Sequence, residues 1–236
     1  MWWSQVATIC FIGPSCVDFA GYKPRLMDDD PYAHCPRLPL EGPIDPRRVF
    51  LTSSSGEQFL EQPVELEIGP GRGWFTIERL EADPGTRVIG VEIRRKWATI
   101  VDERLKKRGL AGRGRVFADD IKLVLPRFVD QSVKIAYLHF PDPWWKKRHE
   151  KRLVLGPEVL RELARVMIPG GELLIQTDVF ERAEQYEQAV ADCSAFEPWE
   201  AQARVTDHPH TARSPRERKA IENGLPVARL RYRRRR

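Results

Sequence analysis

The chain has 236 residues, 42% hydrophobic and 31% charged, with a formal net charge of +5 at pH 7. That length and apolar content fit one soluble α/β domain with a real core. Its four cysteines, Cys10, Cys16, Cys35 and Cys193, form no C-x-x-C pair and no metal-ligand spacing, which excludes a disulfide framework or a structural zinc site and predicts reduced thiols, no metal and a cytoplasmic home.

Residues 1–46 read as an N-terminal extension, disordered in part, ahead of a domain over 47–233 and a basic tail, 234–236. The apolar start, with Trp2, Trp3 and Cys10-Phe11-Ile12, lacks the basic opening of a secretory signal. Gly13-Pro14 interrupts it, so it is too short to span a bilayer. Met27, before Asp28-Asp29-Asp30-Pro31, reads as an alternative start, which makes 1–26 an extension or a start-site artefact. Four prolines between Pro36 and Pro46 predict an extended arm leading into the domain.

Val64-Glu65-Leu66-Glu67-Ile68 alternates as a strand and runs into Gly69-Pro70-Gly71-Arg72-Gly73; Trp74 to Leu80 then shows helical spacing. Strand, glycine turn and helix open a doubly wound nucleotide-binding sheet. Glycines at every second position are not the G-x-G-x-x-G of a pyrophosphate site. Glu67, two residues before Gly69, suits a ligand with an ammonium group better than one with two phosphates. Gly69 and Gly71 let a ligand approach the backbone.

Arg87 to Val91 is the next strand and ends in Glu92, where an acid accepts from ribose hydroxyls. The plainer alternative is a carboxylate capping the helix that starts near Arg94, and the runner-up ligand is a nicotinamide dinucleotide. A helix over Arg94–Arg108 follows, its stripe formed by Trp97, Ile100, Val101 and Leu105. Val116-Phe117-Ala118 is a short strand leading to Asp119-Asp120.

Ile135-Ala136-Tyr137-Leu138 reads as a buried strand. Phe140-Pro141-Asp142-Pro143-Trp144-Trp145-Lys146-Lys147-Arg148-His149-Glu150-Lys151-Arg152 comes after it. Two indoles, the Asp142 carboxylate and five cations in one loop suit a site that stacks a base, holds phosphates and places an acid at a reaction centre. The alternative is a basic loop anchored to the sheet by its tryptophans. Beyond it, a helix over Glu158–Met167 is predicted to end at Pro169-Gly170-Gly171. Glu172–Thr177 is a strand ending at Asp178, Glu181–Ala191 a helix, and Val227–Tyr232 a closing strand. The result is an α/β, doubly wound, mostly parallel sheet with helices on both faces, in a single domain. Glu67, Glu92, Asp120, Asp142 and Asp178 then share the carboxyl edge where ligands bind. Each alone could be a helix cap or a solvated loop end.

These segments resemble the S-adenosylmethionine-dependent methyltransferases. Residues 140–152 narrow the resemblance to the bacterial tRNA (guanine-N7)-methyltransferase family, over roughly Arg47–Arg233. Leu66-Glu67-Ile68-Gly69, Ile89-Gly90-Val91-Glu92, Thr177-Asp178 and Glu217-Arg218 are its other elements. The resemblance implies a seven-stranded sheet with an antiparallel last strand, S-adenosylmethionine as cofactor, and tRNA as partner with no obligatory protein partner. It implies cofactor contacts from Glu67, Gly69, Gly71, Glu92, Asp120 and Asp142, with Asp119 the fallback for Asp120. It also marks Asp142 as catalytic.

Donor and acceptor chemistry suggests that Lys146 donates to guanine O6 and that Asp178 and Glu217 accept from its Watson–Crick edge. Arg148, His149, Lys151 and Arg152 fall to the RNA backbone, with Lys147 similar, and Trp144 or Trp145 stacks on a base. The chain departs from the family pattern at two places. Ser214-Pro215 stands where Thr is usual, which keeps the hydroxyl for substrate contact but removes an amide donor. Trp145 stands where proline is common. Two other classes stay open: a noncatalytic RNA-binding protein with this fold, and a nicotinamide-dependent dehydrogenase.

Overall fold

In this computed structural model, residues 30–50, 62–141 and 153–236 are described. Strand β1, Val64–Ile68, is buried along its whole length. Its alternation separates two jobs: Val64, Leu66 and Ile68 join the large apolar core on one face, while Glu65 and Glu67 turn toward α1, Trp74–Ala82, on the other.

β2 (Val88–Val91), β3 (Gly114–Phe117), β4 (Val133–His139) and β5 (Met167–Thr177) extend the sheet in parallel. β7 (Ala228–Arg234) runs antiparallel between β5 and the three-residue edge strand β6 (Phe196–Pro198). The order is β3-β2-β1-β4-β5-β7-β6, seven strands with the last one antiparallel, as expected. Strand order reverses between β1 and β4, the switch point at which open α/β sheets bind ligands.

Helices α1 and α2 (Arg95–Lys107) cover one face through Ile77, Leu80, Val101 and Leu105. α4 (Pro157–Val166) and α5 (Phe180–Ala191) cover the other through Leu160, Leu163 and Tyr186. Two short helices, α3 (Ile121–Val124) and α6 (Pro215–Glu222), are new relative to the sequence-based expectation. Pro215 takes the first position of α6, where a missing amide is harmless, and the Ser214 hydroxyl accepts from Glu217 N at 3.1 Å as the N-cap.

One expectation changes. The helix ends at Val166, and β5 already starts at Met167, ahead of Pro169-Gly170-Gly171. Register passes from Val133–Met167 to Ile135–Glu172, so the Pro-Gly-Gly run forms a bulge inside the strand rather than a helix stop. The compact unit runs from Tyr32 to Arg236. The proline arm is fastened there: Pro36 O accepts from Ala118 N at 2.7 Å, and Ile44 exchanges hydrogen bonds with Arg127 O and Val129 N. Arg234 belongs to β7, and Arg235 N donates to Ala195 O at 2.8 Å.

Candidate active site

A cavity of about 580 Å³ opens at the carboxyl ends of β1 to β4, with Gly69, Glu92, Asp120 and His139 among its lining residues. The size is that of an ordinary small-molecule site. The glycine turn beneath it divides into two kinds of glycine. Gly73 (φ 71°) is a packing glycine, because a Cβ there would meet Val101 Cγ1 at 2.2 Å. Gly69 (φ 70°) has nothing within 4 Å of that position, so its left-handed backbone faces open space that a ligand can enter.

Glu92 is 2% exposed. Its Oε2 accepts from Gly71 N at 2.9 Å, and its Oε1 accepts from Arg94 N at 3.0 Å and Nε at 3.1 Å. It therefore ties the glycine turn to the start of α2 while lining the cavity. A carboxylate offers about four acceptor sites, so three donors leave one for a ligand hydroxyl.

Asp119 and Asp120 separate cleanly. Asp119 Oδ2 accepts from Leu38 N at 2.8 Å, and its Oδ1 lies 3.5 Å from Arg37, so it fastens the N-terminal arm. Asp120 caps α3, its Oδ1 accepting from Lys122 N at 2.9 Å. Both line the cavity.

Glu67 lies just behind the cavity wall, 2% exposed. Thr76 Oγ1 donates to its Oε2, and His139 Nδ1 stands 3.6 Å from its Oε1. Neither ring nitrogen of His139 has a hydrogen-bond partner among the described residues. A buried carboxylate beside an unsatisfied imidazole is an unfinished polar site.

The guanine-edge candidates sit further along. Asp178 is held by Arg216 through two contacts of 2.9 Å. Arg216 also lies over the Phe140 ring at 5.5 Å. Phe140 itself has φ 48°, an uncommon conformation for a non-glycine residue that clusters at functional sites. Glu217 is fully buried. Its Oε1 accepts from Arg229 Nε at 2.9 Å and Gln176 Nε2 at 3.0 Å, while its Oε2 has no partner. Ser214 is occupied as the cap of α6. Each of the described acids on this edge has a partner on the chain itself. Asp142, Lys146, Arg148, His149, Lys151 and Arg152, with Trp144, Trp145 and Lys147, lie outside the described residues.

Sequence reasoning missed Thr76, His139 and Arg216. His139 was within reach: it follows Ile135 and Tyr137 at period two, so it must share their face, as Glu67 shares that of Glu65.

Among the described residues, no helix is long and apolar enough to cross a membrane, and no group of three or more His, Cys, Asp or Glu could hold a metal ion.

The sheet order, the open glycine turn and the carboxylates along one edge define a methyltransferase fold of the Rossmann-like type. A solved 16S rRNA methyltransferase, KamB, shares it with a TM-score of 0.53 at 15% identity, covering 74% of this chain and 89% of that one. A family model described as "Putative methyltransferase" matches residues 61–230. The tRNA (guanine-N(7)-)-methyltransferase of Parasynechococcus marenigrum is 35% identical over 77% of this chain and 80% of its own length. That of Myxococcus xanthus is 34% identical over 72% and 82%. The chain belongs to the tRNA (guanine-N(7)-)-methyltransferase family.

Proposed function

We propose that the protein transfers a methyl group from S-adenosylmethionine to N7 of a guanine in the variable loop of tRNA. The observation that carries this is the cavity at the β1/β4 switch point, with an open glycine backbone and carboxylates on its wall, in a chain of this family.

The residues present fit the cofactor. Glu92 keeps one acceptor site for ribose, Asp120 stands at the end of β3 for the adenine, and Glu67 with His139 offers an unsatisfied polar pair behind the turn. When bound, the sulfonium supplies an electrophilic methyl group. Guanine N7 has a lone pair and no proton, so no residue is needed as a general base for the attack. The chain has two tasks. One is positioning, which can contribute roughly 7–11 kcal/mol. The other is placing negative charge near a purine that becomes cationic as it is methylated, and Asp142 has that role. Lys146 donates to O6. Asp178, carried on the rim by Arg216, and the unpartnered Oε2 of Glu217 are the acceptors for N1 and N2. Ser214 acts through the α6 cap that places Glu217. Arg148, His149, Lys151 and Arg152 hold the RNA backbone, and no second protein is required.

The test is transfer of labelled methyl to unmodified tRNA, followed by chain cleavage at N7-methylguanine. Label released at that position is expected. Asp142→Ala should abolish transfer and leave tRNA binding largely intact. Label elsewhere, or none from well-folded protein, rejects the assignment.

A further inference from the structure

Residues 94–108 carry seven Lys/Arg against Asp102 and Glu103. Asp102 does not offset this charge at the surface: it is buried, with Arg115 at 2.8 Å and Lys106 at 2.9 Å. Among the described residues, the ion-pair partner of Glu103 is His34, at 3.9 Å.

Two half-buried indoles are set among these cations. The Trp97 ring has Arg72 at 5.2 Å and Lys96 at 5.7 Å from its centroid. The Trp74 ring has Arg104 at 4.8 Å and Arg108 at 5.7 Å. Arg104 also donates to Arg72 O at 2.8 Å, which joins the two clusters. Together they make a continuous strip in the order Lys96, Trp97, Arg72, Arg104, Trp74, Arg108. At 1.5 Å per helical residue, the span from Lys96 to Arg108 is about 18 Å.

The strip begins at the cavity rim, since Glu92 and Arg94 line the cavity and Lys96 and Trp97 lie in the first turn of α2. A groove of about 520 Å³ opens at Trp74, walled by Arg218 and Lys219 of α6. Among the described residues, Arg72, Lys96 and Arg104 have no carboxylate partner, and Arg108 has Glu81 at 2.6 Å.

A solvated helix face needs no indoles. Like charges gathered on aromatic faces, mostly without counter-ions, lower their mutual repulsion when a polyanion arrives. An indole beside a phosphate-binding cation is the arrangement that stacks an unpaired base while its backbone is held.

We propose that this strip is a second RNA contact surface, additional to the 142–152 loop. Its cations take phosphodiester oxygens, and Trp97 and Trp74 take unpaired bases. The inference rests on the tRNA methyltransferase assignment above, and it adds the route by which the RNA leaves the cavity: along α2, from its first turn to its last.

The experiment uses the full chain with Lys96 and Arg108 of the strip and Lys107, which neighbours Arg108 at the end of α2, all exposed, changed together to Gln. Each phosphate contact contributes roughly 0.7–0.9 to the salt slope of binding, so the slope against log salt should fall by about 2. KM for tRNA should rise on the order of tenfold at low salt, with kcat at saturating tRNA and the calorimetric Kd for S-adenosylmethionine unchanged. Trp97→Ala should raise KM on the order of tenfold, and Trp97→Phe should restore most of it.

Wild-type KM and salt slope in the triple variant, with the wild type methylating tRNA normally, overturn the surface and leave the activity standing. A wild type that binds tRNA with the strip-dependent slope but transfers no methyl keeps the surface and removes the activity. Strip-dependent binding to an acidic protein, with none to tRNA, overturns the choice of partner.

Discussion

Glu65 and Glu67 stand two residues apart on one strand and face the same side of the sheet, yet their surroundings differ in kind. Glu65 is fully buried and closed in by donors: Arg79 at 2.8 and 3.0 Å, the Tyr137 hydroxyl at 2.8 Å, Thr86 at 3.3 Å and Lys134 at 3.3 Å. Burial works against the Arg79 charge, but pairing with Glu65 outweighs it and raises the guanidinium pKa; burial, then the Glu65 charge, drives Tyr137 well above the usual phenol range. Glu67 has Thr76 and a histidine just beyond hydrogen-bond distance. One step of the strand period thus separates a completed network from an incomplete one. The lesson is that residue type and burial do not separate a closed carboxylate from one left open to a ligand, whereas the count of satisfied donors and the distance to the strand's carboxyl end do.

The strongest way to break that contrast is to remove Glu65. Glu65→Ala leaves the buried Arg79 with only the half-exposed Asp83, at 3.2 Å, among its described carboxylate partners, and breaking a buried pair from one side costs about 3–5 kcal/mol. Denaturant titration should show the loss in the midpoint. A change below about 1 kcal/mol would mean that the network is not holding α1 to β1. Glu67→Gln should behave differently. The amide oxygen still accepts from Thr76, so stability should fall by no more than about 1–2 kcal/mol. Affinity for S-adenosylmethionine should fall by about tenfold in calorimetry, or about 1.4 kcal/mol. Unchanged affinity would make Glu67 as structural as Glu65.

The face that carries both glutamates continues into a cluster of rings, and there pH sharpens the contrast. His208 packs against Phe75 at 5.5 Å, His139 at 5.4 Å and His210 at 5.5 Å between ring centroids, with Tyr137 stacked at 6.3 Å. Burial first, then the neighbouring His139 and His210, pushes the His208 pKa down to about 2; burial, then Arg79, brings His210 to about 4. Both values lie below the roughly 6.5 of an unfolded histidine, so the unfolded chain binds the extra protons. Stability is therefore fully present above about pH 6.5 and is lost as pH falls below it. For His208 the loss between pH 6.5 and 5.5 is about 1 kcal/mol, and His210, nearer to solvent, adds less. Chemical unfolding at the two pH values measures it, and His208→Gln should flatten the difference. An equal slope in that variant would place the acid sensitivity elsewhere.

Much of this was legible in the sequence wherever one period governed a long element. The alternation of Val64 to Ile68, the glycine turn and the strand-end positions of Glu92 and Asp120 follow from local pattern. Gly69 and Gly73 look alike in sequence, and only the Val101 contact separates the ligand-facing glycine from the packing one. Pro169-Gly170-Gly171 has the composition of a helix stop, and the pairing of β5 with β4 overrode it. β6 and α6 were missed because three and eight residues carry too little periodicity. The burial of Glu217 was not legible, because it depends on Arg229 and Gln176, two residues brought in by separate strands.

The smallest effect belongs to the rim, at the pair between Arg216 and Asp178. Its geometry is good, with two parallel contacts of 2.9 Å, but the side chains are 49% and 28% exposed. Solvent screens such a pair, and exposed ion pairs contribute about 0–1 kcal/mol. Arg216→Ala should therefore shift the unfolding midpoint by less than about 1 kcal/mol, far below the Glu65→Ala loss. Its effect on turnover should be larger, because Arg216 also spans to the Phe140 ring at the end of β4 and so sets where the Asp178 carboxylate points. With S-adenosylmethionine saturating, KM for tRNA should rise a few-fold in Arg216→Ala, and Arg216→Lys, which keeps the charge but not the fork, should recover only part of it. A stability loss of several kcal/mol would show that the rim pair is as closed as the Glu65 network. An unchanged KM would remove Asp178 from the guanine edge.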